Sequence, residues 1–189
     1  MNATFVLVVL LAVSMVANLY LISEMRSRAE ESARAEGFAL YFAGSRLETA
    51  ARHFERALET ESERDVNMDL LMADVDIFAA HQLMQVLRLD MPDSEVHFIS
   101  GLFEAMFRGS RELMERGDPQ LMEDLVLTTR HTGMVIRDTS AEIRAEGTSG
   151  GAARARYIEM TRKIEESLQE QDVWQMMVRY APHLDDLGR

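Results

Sequence analysis

The side chains that could carry out acid–base or metal chemistry are five histidines and 32 carboxylates. A zinc protease needs two histidines four residues apart around a glutamate, and a di-iron bundle needs two Glu-x-x-His pairs. Neither pattern occurs. The nearest approach is Asp74 with His81, seven residues apart on one face of a predicted helix. Two ligands do not hold a metal, so we expect no metal or other cofactor and interpret His81 as a hydrogen-bonded histidine.

Nucleophilic and phosphate chemistry find little support. The chain has no cysteine, which excludes disulfides, thiolate zinc sites, iron–sulfur clusters and cysteine nucleophiles. We expect no nucleophile elbow and no phosphate-binding loop. The glycine-rich stretch 147–151 lacks the lysine and the preceding strand that a phosphate loop requires. The sequence therefore predicts a protein that is not an enzyme, although residues distant in sequence could still assemble an active site.

Fourteen methionines raise the question of copper, because thioethers favour Cu(I). Met68 with Met72 and the pair Met176–Met177 are the densest groups. They fall at helical spacing among leucines and phenylalanines. We therefore interpret them as adaptable core filler or as a pliable binding surface.

The net charge of −12 and the pI near 4.9 limit the partners. A field of this sign repels phosphate backbones, so we expect no binding of nucleic acid. Anionic lipid headgroups repel the same surface. Attachment to a membrane would have to come from an apolar segment.

Such a segment spans residues 4–22, which carry no charge. As a helix, 19 residues rise about 28 Å, close to the thickness of a hydrocarbon core. A cleaved signal peptide is the alternative, but no basic region precedes the apolar run. We expect residues 1–23 to be an uncleaved transmembrane anchor, so that the lipid bilayer is one partner.

Flanking cations predict the orientation of this anchor. No basic residue precedes the apolar segment, whereas Arg26, Arg28 and Arg34 follow it. The positive-inside rule then places the following domain in the cytoplasm. We expect a single-pass protein of the cell membrane whose helical domain is cytoplasmic.

The rest of the chain reads as all-α. Leu40, Leu47 and Phe54 recur every seven residues, as on a helix, and no stretch alternates with period two. Helices are predicted at about 24–60, 65–89, 93–117 and 119–146, then from Ala152 and from Asp172. The predicted fold is one transmembrane helix followed by a bundle of five to six helices.

Three regions make up the predicted organisation: the anchor at 1–23, a charged juxtamembrane helical stalk at 24–36, and the bundle at 37–189. Glycines at 147–151 predict a flexible loop inside the bundle. Gly37 and Gly44 indicate a bend or a close helix contact, and Gly133 could break the fourth helix.

The segment 173–184 is rich in large apolar side chains. Trp174, Met177 and Tyr180 form a candidate partner surface that would dock in a groove of another protein. The alternative is that the segment packs on its own bundle.

One short stretch resembles a tetratricopeptide repeat. Tyr41, Ala50, Phe54 and Ala57 have the spacing of that family's Tyr, Ala, Phe and Ala positions. The match covers under a fifth of the chain. The Trp and Pro positions of the repeat are unmatched, the chain shows no clear second copy, and a stack needs about three.

These observations predict a membrane-anchored, non-enzymatic helical domain that acts as a protein-interaction scaffold or adaptor, with another protein or a second copy as its partner. The alternative is an extracytoplasmic helical sensor that binds a small ligand between helices and signals through a partner membrane protein. The alternative requires the opposite orientation.

Overall fold

The computed structural model describes residues 3–87, 91–146 and 151–187, with side chains from residue 31 onward except at 86, 151, 152 and 185–187. Throughout these ranges the chain is helical and contains no strand, which confirms the all-α prediction. The helices are α1 (Ala3–Glu59), α2 (Glu63–Val86), α3 (Asp93–Arg116), α4 (Pro119–Glu146), α5 (Gly151–Glu170) and α6 (Trp174–Tyr180), followed by a 3-10 helix (Pro182–Leu187).

Helix α1 is 57 residues long and its second half is the axis of the bundle. The predicted stripe of Leu40, Leu47 and Phe54 is completely buried. α4 packs along one side of this stripe and α2 along the other, while α3, α5 and α6 complete the bundle. Among the side chains that are described, Ala33 is the first buried one in α1, and it lies within the segment 24–36 that we expected to be a stalk.

Glycines allow α1 and α4 to approach closely. A Cβ atom at Gly44 would lie 2.6 Å from the Gly133 carbonyl oxygen, and one at Gly133 would lie 2.8 Å from the Gly44 carbonyl oxygen. Both atoms belong to helix backbone and cannot move aside as a side-chain tip can. The two glycines are therefore the contact point of two helices. α4 runs unbroken through Gly133, contrary to the break considered from the sequence.

The junction between α3 and α4 follows the sequence signals. Gly117 adopts a left-handed conformation at φ 63° and donates its N–H to the Leu113 carbonyl. Asp118 caps α4, because its Oδ1 accepts the Gln120 N–H at 3.0 Å. Pro119 is the first helical residue, where its missing N–H costs nothing.

α3 begins at Asp93, as expected, whereas α6 begins at Trp174, two residues after the predicted start at Asp172. α3 takes Pro92 as its N-cap, with an extended ψ of 150°, so Asp93 lies in the first turn and favours the helix dipole there. Asp172 does not cap α6. It adopts a left-handed turn at φ 58°, and Val173 is the N-cap. The short polar side chain of aspartate tolerates this conformation better than most.

Buried hydrogen bonds fasten the start of the bundle. The Tyr157 hydroxyl donates to Oε2 of Glu36 at 2.8 Å, and the Ser140 hydroxyl donates to the Gly37 carbonyl at the same distance. Ser32 also donates to Glu36, at 3.0 Å. These bonds tie α1 to α4 and α5 and satisfy a buried carboxylate.

Among the residues that the structure describes, no helix is long and apolar enough to cross a membrane. The predicted span, residues 4–22, forms the first part of α1, but its side chains are not among those that the structure describes. Part of the predicted loop, residues 147–150, also lies outside the described ranges, and α5 begins at Gly151.

Candidate functional site

Helix α2 carries apolar side chains on two opposite faces. One face packs against α1 and belongs to the core. Its residues Leu70, Ala73, Ile77, Ala80 and Met84 are all at least 98% buried. This face satisfies the packing that an amphipathic surface helix requires.

The opposite face of α2 is also apolar, and within the described structure it is open. Its members, called here the α2 apolar face, are exposed by 41% to 55% of their surface: Met68, Leu71, Met72, Val75 and Phe78. Single exposed apolar residues are normal, whereas a contiguous exposed row is the kind of surface found where proteins contact other proteins or a membrane.

A groove of about 830 Å³ runs between α2 and α3 beside the α2 apolar face. Its wall is aromatic. The His81 ring lies 5.1 Å from the Phe103 ring, and the Phe107 ring lies 6.4 Å from that of Phe78. The lining residues are Asp74, Val75, Phe78, His81, Gln82, Gln85, Ser100, Phe103, Glu104, Phe107, Arg108 and Arg111. Apolar walls with a few polar groups are typical of ligand and peptide grooves.

Asp74 is one of the two carboxylates that line this groove, and Glu104 is the other. Burial raises the pKa of Asp74 above the usual value, because the charged form loses hydration. The neighbouring Arg111 guanidinium and the Ser110 hydroxyl lower the pKa and offset part of this effect. The net effect is a raised pKa, so the protonated form of Asp74 is favoured more than in an exposed aspartate.

His81 lies on the same groove wall, so the structure brings together the two residues that the sequence placed on one helix face. Burial lowers the pKa of His81, which favours the neutral imidazole. Nε2 of the ring lies 2.7 Å from the Gln85 side-chain nitrogen. No group of three or more His, Asp or Glu side chains that could hold a metal ion is found among the described residues.

Sequence reasoning missed an ionic cluster between α1 and α2. Nδ1 of His53 lies 2.8 Å from Asp69, Arg56 lies 3.0 Å from the same carboxylate, and Arg46 donates to the buried Asp76 at 2.9 Å. Arg46 and His53 are seven residues apart, as are Asp69 and Asp76, so two matching basic and acidic pairs were the available signal. The cluster fixes the register of α2 on α1.

The candidate partner surface in α6 lies against the bundle. Met177 is completely buried and Tyr180 is buried, while Trp174 is half-buried with its ring stacked 6.5 Å from that of Phe98. Arg108 donates to the Tyr180 carbonyl at 3.1 Å. The segment 173–184 therefore packs on its own bundle, which is the alternative to docking on another protein. A partner at these residues stays a prediction and would require α6 to leave α3.

Residues 147–151, Gly-Thr-Ser-Gly-Gly, match the Gly-x-Ser-x-Gly pattern of serine hydrolases, although we expected no nucleophile elbow. In those enzymes the serine sits on a turn between a strand and a helix. Here helix α4 precedes the segment and helix α5 begins at its last residue. The context that gives the pattern its chemical meaning is therefore different.

Comparison of the chain with protein-family models, with curated proteins and with solved structures finds no match. The function must be argued from the surface of the bundle itself.

Proposed function

We propose that this chain is a membrane-tethered, non-enzymatic helical domain that binds another protein chain through the α2 apolar face. The observation that carries the proposal is the exposure of five large apolar side chains in one row, on a helix whose opposite face already fills the core. An ordinary surface helix would place polar residues there. The tether is the predicted span at residues 4–22.

The position of this face favours protein over lipid. Arg46 pairs with Asp76, and His53 pairs with Asp69, so the face lies level with about residues 44–54 of α1. At about 1.5 Å per residue, these positions are about 33–48 Å beyond the end of the predicted span at residue 22. A surface held at that distance meets proteins rather than the bilayer.

The side chains of the α2 apolar face suit a helical partner. Met68, Leu71, Val75 and Phe78 recur at intervals of three and four residues, which is the spacing by which one helix contacts another. Two of the five members are methionines, whose flexible thioether side chains adapt to the partner's shape. We infer that the partner presents an apolar helix face.

Co-purification of the full-length chain from detergent-solubilised membranes tests the proposal. The charge-introducing double variant Leu71→Glu/Val75→Glu should lose the co-purifying protein, because burying a carboxylate in an apolar contact is costly. The matched control is Ile158→Glu, an equally exposed apolar position on α5, which should keep it. The proposal fails if the wild type brings down no protein, itself included, or if both variants bind equally.

The groove between α2 and α3 supports a second candidate function, an extracytoplasmic sensor that binds a small ligand. Its aromatic wall, with Asp74, His81 and Arg111 nearby, suits a compact ligand that has an apolar ring and a polar group. This function needs the domain outside the cell. In Ile158→Cys, labelling by a membrane-impermeant maleimide on intact cells would favour the sensor, and labelling that requires lysis would favour the tethered scaffold.

A further inference from the structure

The exposed side of α2 has the spacing of a two-stranded coiled coil. Its residues follow one another at intervals of three, four, three, four and three: Met68, Leu71, Val75, Phe78, Gln82 and Gln85. The strict alternation of three and four marks the seam of two supercoiled helices. In heptad notation Val75 occupies position a and Leu71 position d, the combination that favours two strands in parallel dimers.

This row is free of charge on a chain of net charge −12. No acidic or basic residue occupies a row position between 68 and 85, and the neighbouring e positions are Met72 and Ala79. Asp74 lies at a g position, where a parallel pairing would place Ala79 of the second helix near it. Two copies can therefore meet along this row without apposing like charges, although the rest of their surfaces repel.

A common anchor decides how two copies would be arranged. Chains inserted in one bilayer with the same topology are related by an axis along the membrane normal, and such an interface is isologous. α2 runs antiparallel to α1, as the Arg46–Asp76 and His53–Asp69 pairs show, so the α2 helices of two copies run parallel to each other. Identical residues then face each other, with Val75 opposite Val75.

We propose that the chain bound by the α2 apolar face is a second copy of this protein, paired in parallel through Met68, Leu71, Val75 and Phe78. This inference rests on the proposed function and names its partner. Stable dimers in solution bury about 1,200–2,000 Å² in total. Four or five half-exposed side chains on each copy offer less, so the dimer depends on the anchor, which confines both copies to one membrane.

The absence of cysteine in the sequence makes a clean experiment possible. Single variants Val75→Cys and Ile158→Cys of the full-length chain, expressed in membranes, carry one thiol each at positions of similar exposure, 51% and 47%. A short bis-maleimide is added to the membranes, and the product at twice 21.5 kDa is quantified. We expect Val75→Cys to cross-link at least about tenfold more than Ile158→Cys, because pairing raises the effective concentration of the second thiol.

A second variant excludes random collision. Phe78→Glu, combined with Val75→Cys, should abolish the cross-link while leaving the helix content measured by circular dichroism unchanged. Equal cross-linking of Val75→Cys and Ile158→Cys, or a product that persists with Phe78→Glu, would overturn the dimer. If the thiol at position 75 is shielded from a monofunctional maleimide yet forms no cross-link, a different protein covers the face. That result rejects the second copy and leaves the proposed function standing.

Discussion

At the scale of single residues, the contact between Gly44 and Gly133 sets how closely α1 and α4 approach. Each glycine places its missing Cβ against the carbonyl oxygen of the other helix. The sequence indicated a close contact or a bend at Gly44, but it could not name the glycine opposite. Gly44 and Gly133 are 89 positions apart in the sequence, so their pairing depends on how α1 and α4 are aligned. The Glu48–Arg137 ion pair and the hydrogen bond from Ser140 to Gly37 show this alignment.

Gly44→Ala should therefore lower the free energy of unfolding by about 1–3 kcal/mol, because a methyl group at 2.6 Å from backbone forces the helices apart. Gly109→Ala is the matched control. Its Cβ would meet the Leu125 side chain at 3.2 Å, and that side chain can shift. The helix propensity of alanine, up to about 1 kcal/mol, then offsets the crowding. Urea unfolding followed by circular dichroism measures both, and equal losses would contradict the close crossing.

Asp74 makes the stability of the folded protein depend on pH. Its pKa is raised in the folded protein above the usual value of 3.8, chiefly by burial. The folded state therefore binds this proton more tightly than the unfolded chain does. The stabilisation is complete below the usual pKa and is lost as the pH rises through the raised pKa.

Asp74→Asn should thus be more stable than the wild type at neutral pH, because the amide carries no charge to desolvate. The difference should shrink towards zero at a pH of about 4 and below, where the aspartate is protonated. The exposed Asp138→Asn serves as the control and should show no such trend. Urea midpoints across this pH range provide the measurement, and a variant that is less stable than the wild type at neutral pH would contradict the buried carboxyl.

At the scale of helices, the sequence predicted most of the boundaries. Gly117, Asp118 and Pro119 end one helix and begin the next by local backbone chemistry alone, which is why the sequence located this junction. The start of α3 was also predicted at residue 93, but Asp93 does not cap the helix, because the structure uses Pro92 as the N-cap. Propensity placed the boundary but could not assign the cap.

Asp118→Ala should cost about 1 kcal/mol, because the N–H of Gln120 at the start of α4 loses its acceptor. Asp118→Asn keeps an acceptor oxygen and should retain most of the stability. Thermal unfolding of the two variants distinguishes capping from simple loss of charge. Equal destabilisation by alanine and asparagine would show that the carboxylate acts through its charge instead.

Helix α2 shows where sequence reasoning ends. The sequence predicted a helix over about 65–89, but it did not show that the apolar residues of this helix are divided between two faces, as they are in the structure. Leu70 and Ile77 enter the core against α1, while Leu71 and Phe78, each the next residue, remain exposed. A helix apolar on two sides needs two partners. The sequence could reveal that α2 has more apolar residues than one buried face needs. The position of α1 is required to say which of the two faces is free.

At the scale of the whole molecule, the proposed tether would hold the bundle, and with it the α2 apolar face, at a fixed height above a membrane. α1 continues from the predicted span into the core of the bundle without interruption. The height of the α2 apolar face therefore follows from helix geometry. The arginines at positions 26, 28 and 34 predict that this surface faces the cytoplasm.

A reporter enzyme that is active on one side of the membrane, fused after Arg189, tests that orientation. The arginine bias predicts activity from a reporter that works in the cytoplasm. Activity from an external reporter would reverse the orientation and favour the sensor, whose ligand would enter the groove beside Asp74 and His81. A chain recovered in the soluble fraction after gentle lysis would contradict the tether.

We propose above all that another protein chain covers the α2 apolar face in the native membrane. The most direct test compares the rates at which a monofunctional maleimide labels Val75→Cys and Ile158→Cys in isolated membranes, since the two positions have similar exposure in the folded chain, 51% and 47%. We expect position 75 to react much more slowly than position 158 in membranes. After detergent solubilisation and dilution, the two rates should converge. Equal rates in the native membrane would show that no other chain covers the α2 apolar face.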